Sequence, residues 1–286
     1  MSVHVLDCPA NQLGESPLWD ASRNRLIWAD IKAKKVCFYD FTIQQYSEVL
    51  LFEEVGCLTL HQSGAILLAL ENQLGYLSPN NHNYVKLQEL EANQTNNRFN
   101  ESCCDNLGRW WFGSQSLDGR ASIYRMDLDG SVSQQVSSLY TVNGMAFAPD
   151  GKTLMYSDSF PTEQQIWQCA YDQQTGQILD HRKFLNTTDL DFRPDGAMFD
   201  SQAGYWLAGI DSGKLLRFDL EQRRIVDSYQ LPSKLVSKCC FIGPQLSTIA
   251  VTSIQDKQRQ SSGHVYYFDS KYTGRAATLC QVKLPI

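Results

Sequence analysis

"NGMAFAPDGKTLMYSD", residues 143–158, runs through small and apolar residues, breaks at Pro149-Asp150-Gly151, and resumes with a second apolar run. Pro-Asp-Gly is turn vocabulary. The short flanking runs carry aromatic residues, so the stretch reads as a β-hairpin. Five more stretches read beneath it in the same way. "ESPLWDASRNRLIWAD" begins at Glu15, "CLTLHQSGAILLAL" at Cys57 and "NESCCDNLGRWWFGS" at Asn100. "DGAMFDSQAGYWLAG" begins at Asp195 and "KCCFIGPQLSTIAVTS" at Lys238. Successive starts lie 42, 43, 43, 52 and 43 residues apart. Most units continue into a third strand that closes on Asp, as in "VCFYD", "IYRMD", "LLRFD" and "VYYFD".

That interval, with about four strands per unit, is the period of a β-propeller blade. The expected architecture is all-β, a six-bladed β-propeller forming a single domain over residues 1–286. A β-sandwich would have to reproduce the spacing by coincidence. No long amphipathic helix and no Pro/Ser/Gly-rich linker interrupts the repeat. "NQTNNRFN", "SFPTEQQ" and "NTTDLDFR" read as loops, and the longer fourth interval is expected to enlarge a loop on one face.

Composition narrows the function. A net charge of −6 without a basic block argues against nucleic acid. No apolar run approaches a membrane span, and the opening "MSVHVLDCPANQLGES" has no signal-peptide pattern. Nine cysteines lack Cys-x-x-Cys spacing, which favours reduced, mostly buried thiols and a cytoplasmic protein. Five scattered histidines disfavour a histidine-rich metal site, and no Gly-x-Ser-x-Gly elbow or Ser-His-Asp set is evident.

In a propeller the first strand of each blade lines the central channel, so equivalent strand starts converge. Here those starts are Glu15, Cys57, Asn100, Asn143, Asp195 and Lys238. A channel could be filled more simply with apolar side chains. Carboxylate and amide oxygens are instead what a hard divalent cation takes, and Glu15, Asn143 and Asp195 together form the candidate set. The competing reading, Asx-type capping of neighbouring backbone, fits any one of them singly. Asp150 and Asp195 share the tripeptide Pro-Asp-Gly but differ in phase: Asp150 falls mid-blade in a turn, Asp195 at a blade's start. Arg98 and Asn100 point to the same side of an extended strand, with Phe99 turned away. The guanidinium could orient a hydroxylated or anionic ligand, or pair at the rim with an acid such as Glu101.

At these residues the chain resembles the senescence-marker-protein/gluconolactonase/luciferin-regenerating enzyme family. "LGESPLWD", "NRFNE", "VNGMAFAPDGKTLMYSDS" and "RPDGAMFDSQAGYWLA" are similar to its ordered motifs along nearly the whole chain. The resemblance implies a six-bladed propeller that hydrolyses sugar lactones, such as arabinono-, xylono-, galactono- or gluconolactone, to aldonic acids. It implies one divalent cation held by Glu15, Asn143 and Asp195, with Ca²⁺ first and Zn²⁺, Mn²⁺ or Mg²⁺ as alternatives. It assigns Arg98, Asn100 and Glu101 to substrate and makes Asp195 the candidate general base. Asp158 or a metal-bound hydroxide stand as alternatives for the base. Two departures from the family pattern, Lys238 for a smaller polar residue and Glu101 for Asp, reshape the pocket wall. The expected partner is a small sugar lactone, with the protein a monomer or weak homodimer and no nucleic-acid or membrane partner. Other readings are a propeller hydrolase of aryl esters or organophosphates, and a non-catalytic calcium-binding propeller.

Overall fold

A computed structural model describes residues 2–94, 96–256, 258 and 262–285. Thr95, in the "NQTNNRFN" segment, and the chain ends Met1 and Ile286 lie outside them. The described residues form six four-stranded antiparallel sheets. Five sheets follow chain order from an inner strand outward, and the sixth does so for its first three strands, giving the six blades of a β-propeller. The inner strands are Gly14–Asp20, Cys57–Leu60, Arg98–Cys104, Val142–Phe147, Arg193–Phe199 and Val236–Ile242. Each packs against the inner strand of the next blade, and the last packs against the first.

The burial pattern explains why these sequences take this form. Second strands such as Tyr205–Ile210 are buried along their whole length, because neighbouring blades cover both faces of the sheet. Such strands read as continuous apolar runs rather than alternating ones. Outer strands such as Gln45–Leu50 face solvent and are correspondingly polar. The core lies in wedges between blades: Cys57, Leu67 and Leu74 of the second blade pack on Phe99, Trp110 and Phe112 of the third.

The sixth blade takes its outermost strand from the other end of the chain. His4–Val5 pairs antiparallel with Tyr266–Asp269, so strands from both ends of the chain meet in the sixth sheet and close the ring by backbone hydrogen bonds. After Asp269 the chain runs as a strap across the turns at one end of the channel. It bridges Gly274 to Asp200 and Cys280 to His61. Gln281 N–H then donates to Gly108 O and Lys283 N–H to Leu128 O.

The longer fourth interval resolves differently from the expected loop insertion. The third and fourth strands of blade four, Gln165–Asp172 and Gln177–Asn186, are 8 and 10 residues long. Their counterparts in blade five are 6 and 7. Much of the added length therefore extends two strands. All nine cysteines are free, and among the described residues no helix is long and apolar enough to cross a membrane.

Candidate active site

All six inner strands run the same way along the channel, so their first residues collect at one end. Glu15, Asn143 and Asp195 are brought together there, each 6% exposed. Their register is not the common one that sequence intervals suggest. Counted from the first bridged pair (Gly14↔Asp30, Val142↔Asp158, Arg193↔Ile210), Glu15 and Asn143 are second residues and Asp195 is third. A bulge follows at this point in all three strands. Bulges abolish strict alternation, so residues on two adjacent tiers reach the same centre. Gly144 holds Asn143's strand close: its φ is +61°, and a Cβ there would lie 2.7 Å from the Tyr205 hydroxyl. That hydroxyl donates to Gly144 O at 2.7 Å.

A relay of side-chain hydrogen bonds fixes one wall. Arg98 Nη1 donates to Asn100 Oδ1 at 2.8 Å, Asn100 Nδ2 to Asn143 Oδ1 at 3.0 Å, and Asn143 Nδ2 to Ser159 Oγ at 2.7 Å. Asn100 also donates to Val142 O at 2.9 Å, which uses both its amide hydrogens. The relay turns the Asn143 carbonyl oxygen inward with lone-pair capacity to spare. Arg98 Nη1 is completed by Phe99 O at 2.8 Å. Its Nε lies 3.6 Å from Glu54, a neighbour that spacing in the sequence did not reveal. The acidic partner is thus Glu54, not Glu101.

Glu101 makes an ion pair across the channel. The bulge after Phe99 turns it into the channel, where Oε1 accepts the Ser102 N–H and the ammonium of Lys238. Lys238 comes from the opposite blade, and its ammonium also donates to Ser102 O at 3.2 Å. Both side chains are buried, and Glu101 Oε1 is taken by this ion pair while Oε2 has no hydrogen-bond partner among the described residues. Asp158, considered as an alternative base, is a loop clamp. Its carboxylate accepts the backbone N–H groups of Tyr140, Thr141 and Phe160 at 2.8, 2.9 and 3.2 Å. Asp30 does the same for Gln12 and Leu13 in blade one. Asp150 is a turn residue whose carboxylate accepts the Lys152 N–H at 2.8 Å.

The electrostatics of the centre are those of crowded carboxylates. Burial, then the Glu101 charge, pushes Glu15 up to about 7. Burial, then Glu15 and Glu101, holds Asp195 well above the usual carboxylate range. Glu15 Oε2 accepts the Ser16 N–H at 2.9 Å, whereas the Asp195 carboxylate takes no hydrogen bond among the described residues. Burial alone would depress the Lys238 ammonium, but Glu101 beside it reverses the shift upward. A divalent cation would relieve this repulsion, and the donors suit a hard ion: two carboxylates and one oriented amide oxygen. Among the described residues no group of three or more His, Cys, Asp and Glu side chains is placed to hold a metal, whereas the Glu15 and Asp195 carboxylates with the Asn143 amide oxygen would give three oxygen donors. The residues fit the group.

Comparison with known proteins places this geometry. A family model described as the SMP-30/Gluconolactonase/LRE-like region matches residues 13–255, a span that carries Glu15, Asn143 and Asp195. The chain belongs to that family. It is 28% identical over 284 residues to regucalcin of Xenopus laevis, covering 93% of this chain and 94% of the relative. It is 27% identical over 259 residues to the putative sugar lactone lactonase YvrE of Bacillus subtilis, covering 88% of each. The fold superposes on a calcium-binding protein, regucalcin, from Agrobacterium tumefaciens with a TM-score of 0.91 at 22% identity, covering 97% of both chains.

Proposed function

We propose that this protein is a divalent-cation-dependent hydrolase that opens sugar lactones to aldonic acids. The observation that carries the reading is the convergence of Glu15, Asn143 and Asp195, three buried residues, with the Asp195 carboxylate taking no hydrogen bond among the described residues. Membership in a gluconolactonase family supports the reaction class, and the B. subtilis relative is named for sugar lactone hydrolysis.

Glu15, Asn143 and Asp195 would hold the cation, Ca²⁺ first among hard ions. When bound, such an ion polarises the lactone carbonyl and makes a nearby water more acidic. Asp195 is assigned as the group that accepts a proton because its carboxylate takes no hydrogen bond among the described residues, whereas one oxygen of Glu101 is tied to Lys238, one of Glu15 to the Ser16 N–H, and Asp158 to three backbone N–H groups. Asp195 takes the proton of the water whose oxygen attacks the carbonyl carbon. The ring C–O bond then breaks, and the departing ring oxygen takes up a proton to become the new hydroxyl.

Arg98 and Asn100 orient the sugar. With both Nη1 hydrogens spent inside the wall, the guanidinium meets substrate through Nη2. Asn100, its amide hydrogens spent, can only accept from a hydroxyl. A polyhydroxylated lactone supplies the donors and acceptors this wall lacks, which an aryl ester or organophosphate does not. The test is turnover of slowly self-hydrolysing 1,4-aldonolactones by wild type and Asp195→Asn. The reading requires turnover by wild type and a loss of at least a thousandfold in D195N with the β-rich fold retained. Full activity in D195N refutes it.

A further inference from the structure

The ion pair at the heart of the channel has no role in the reaction described above. Lys238 and Glu101 stand on opposite blades, 137 residues apart in sequence, and both are buried. Their contact crosses the channel. On one side lie Glu15, Asn143 and Asp195. On the other the channel continues as a cavity of about 190 Å³, lined by Lys238, Ser102, Met145 and Phe199 among others and by Arg275–Thr278 of the strap. The lysine stem is seated by the residue after Asp195: a Cβ on Gly196 would lie 2.4 Å from Lys238 Cγ. Only glycine leaves room for the stem, so the ammonium is delivered to the floor of the carboxylate cluster.

We infer that Lys238 is a built-in counter-cation that sets the affinity of this cluster for a divalent ion. This rests on the reading that Glu15, Asn143 and Asp195 take such an ion. Around the centre stand four carboxylates (Glu15, Glu101, Asp195 and Glu54, the partner of Arg98) and two fixed cations (Lys238, Arg98). The formal sum is two negative charges, where the same cluster without Lys238 would carry three. A dication therefore enters a cluster already partly neutralised, and Lys238 also draws Glu101 Oε1 to itself, leaving only Oε2 without a hydrogen-bond partner among the described residues. Both effects weaken binding, because interactions in a water-poor channel are poorly screened. The site is tuned toward an exchangeable cation rather than a permanently resident one.

A charge cycle tests this by titrating chelator-stripped protein with CaCl2 in a calorimeter. Lys238→Met is expected to tighten Ca²⁺ at least tenfold and Glu101→Gln to weaken it at least tenfold. The double variant, which removes one charge of each sign, is expected within about threefold of wild type. A buried pair replaced as a pair is tolerated far better than a pair broken by removing one partner. The double variant therefore keeps the test decisive if the single variants do not fold: an affinity more than tenfold from wild type in it overturns the inference. Equal affinities in wild type, K238M and E101Q would make the pair a mere strut and overturn the inference. Asp195→Asn is the control. If wild type binds one cation per chain, D195N does not, and K238M binds no more tightly, the inference alone falls. If no cation is taken up by wild type or K238M, the reading of the site falls with it.

Discussion

Glu15 carries a stability cost that the cation-free protein has to bear, and replacing it by Gln exposes that cost. Burial and the Glu101 charge raise its pKa from 4.5 to about 7. Its folded value lies above its unfolded one, so the folded state keeps the proton to higher pH. The stability associated with Glu15 is therefore greatest near and below pH 4.5, declines as pH rises toward 7, and is flat beyond. At pH 8 the ionised carboxylate costs on the order of 3 kcal/mol. Glu15→Gln removes the charge and keeps an acceptor for the Ser16 N–H, so in chelator at pH 8 the variant should be more stable by about 1–3 kcal/mol, or several degrees in Tm. Calcium reverses the order. At a hundredfold excess over Kd, wild type gains about 2.7 kcal/mol, while E15Q, short of one carboxylate ligand, gains little. Thermal melts of both proteins with chelator and with CaCl2 read the crossing. A variant less stable than wild type in chelator, or equal calcium shifts in the two proteins, would refute the reasoning.

Two further outcomes follow from the geometry. Arg98→Lys keeps a charge but loses the fork that spans Asn100 and substrate, so KM for aldonolactones should rise tenfold or more. Steady-state kinetics check this, and an unchanged KM would remove Arg98 from the substrate wall. His61 fastens the strap, with its Nε2–H on Val282 O at 2.9 Å and Nδ1 accepting the Ser63 N–H at 3.1 Å. Burial lowers its pKa below 6.5, so the folded state resists protonation and loses stability as pH falls from 6.5 toward the folded value. In chelator, the fall in Tm between pH 7.5 and 5.5 should therefore be smaller in His61→Gln than in wild type. Equal falls would count against it.

The blades were legible because burial on both faces writes apolar runs at a fixed interval, as in Cys57–Leu70 and Lys238–Ser253. The local difference between Asp150 and Asp195 was legible too, through their phase in the repeat. Finer placement was not. Intervals alone put Glu15, Asn143 and Asp195 in one register, whereas bulges stagger Asp195 by one residue. Such a bulge leaves no mark on hydrophobic periodicity. The ion pair of Glu101 with Lys238 was not legible in "NRFNE", because its partner comes from the opposite blade, a pairing fixed only when the ring closes. Likewise nothing in "YSDS" says that three backbone N–H groups converge on Asp158. The closing strand His4–Val5 is too short to carry a pattern of its own.

The central claim is that one cation held by Glu15, Asn143 and Asp195 makes this propeller a sugar lactonase. The most direct measurement follows 1,4-aldonolactone hydrolysis by one preparation: as purified, after exhaustive chelation, and during back-titration with CaCl2. The account predicts that turnover vanishes on chelation and returns with a break at one equivalent per chain. Undiminished turnover after chelation, or none with the cation bound, would contradict it.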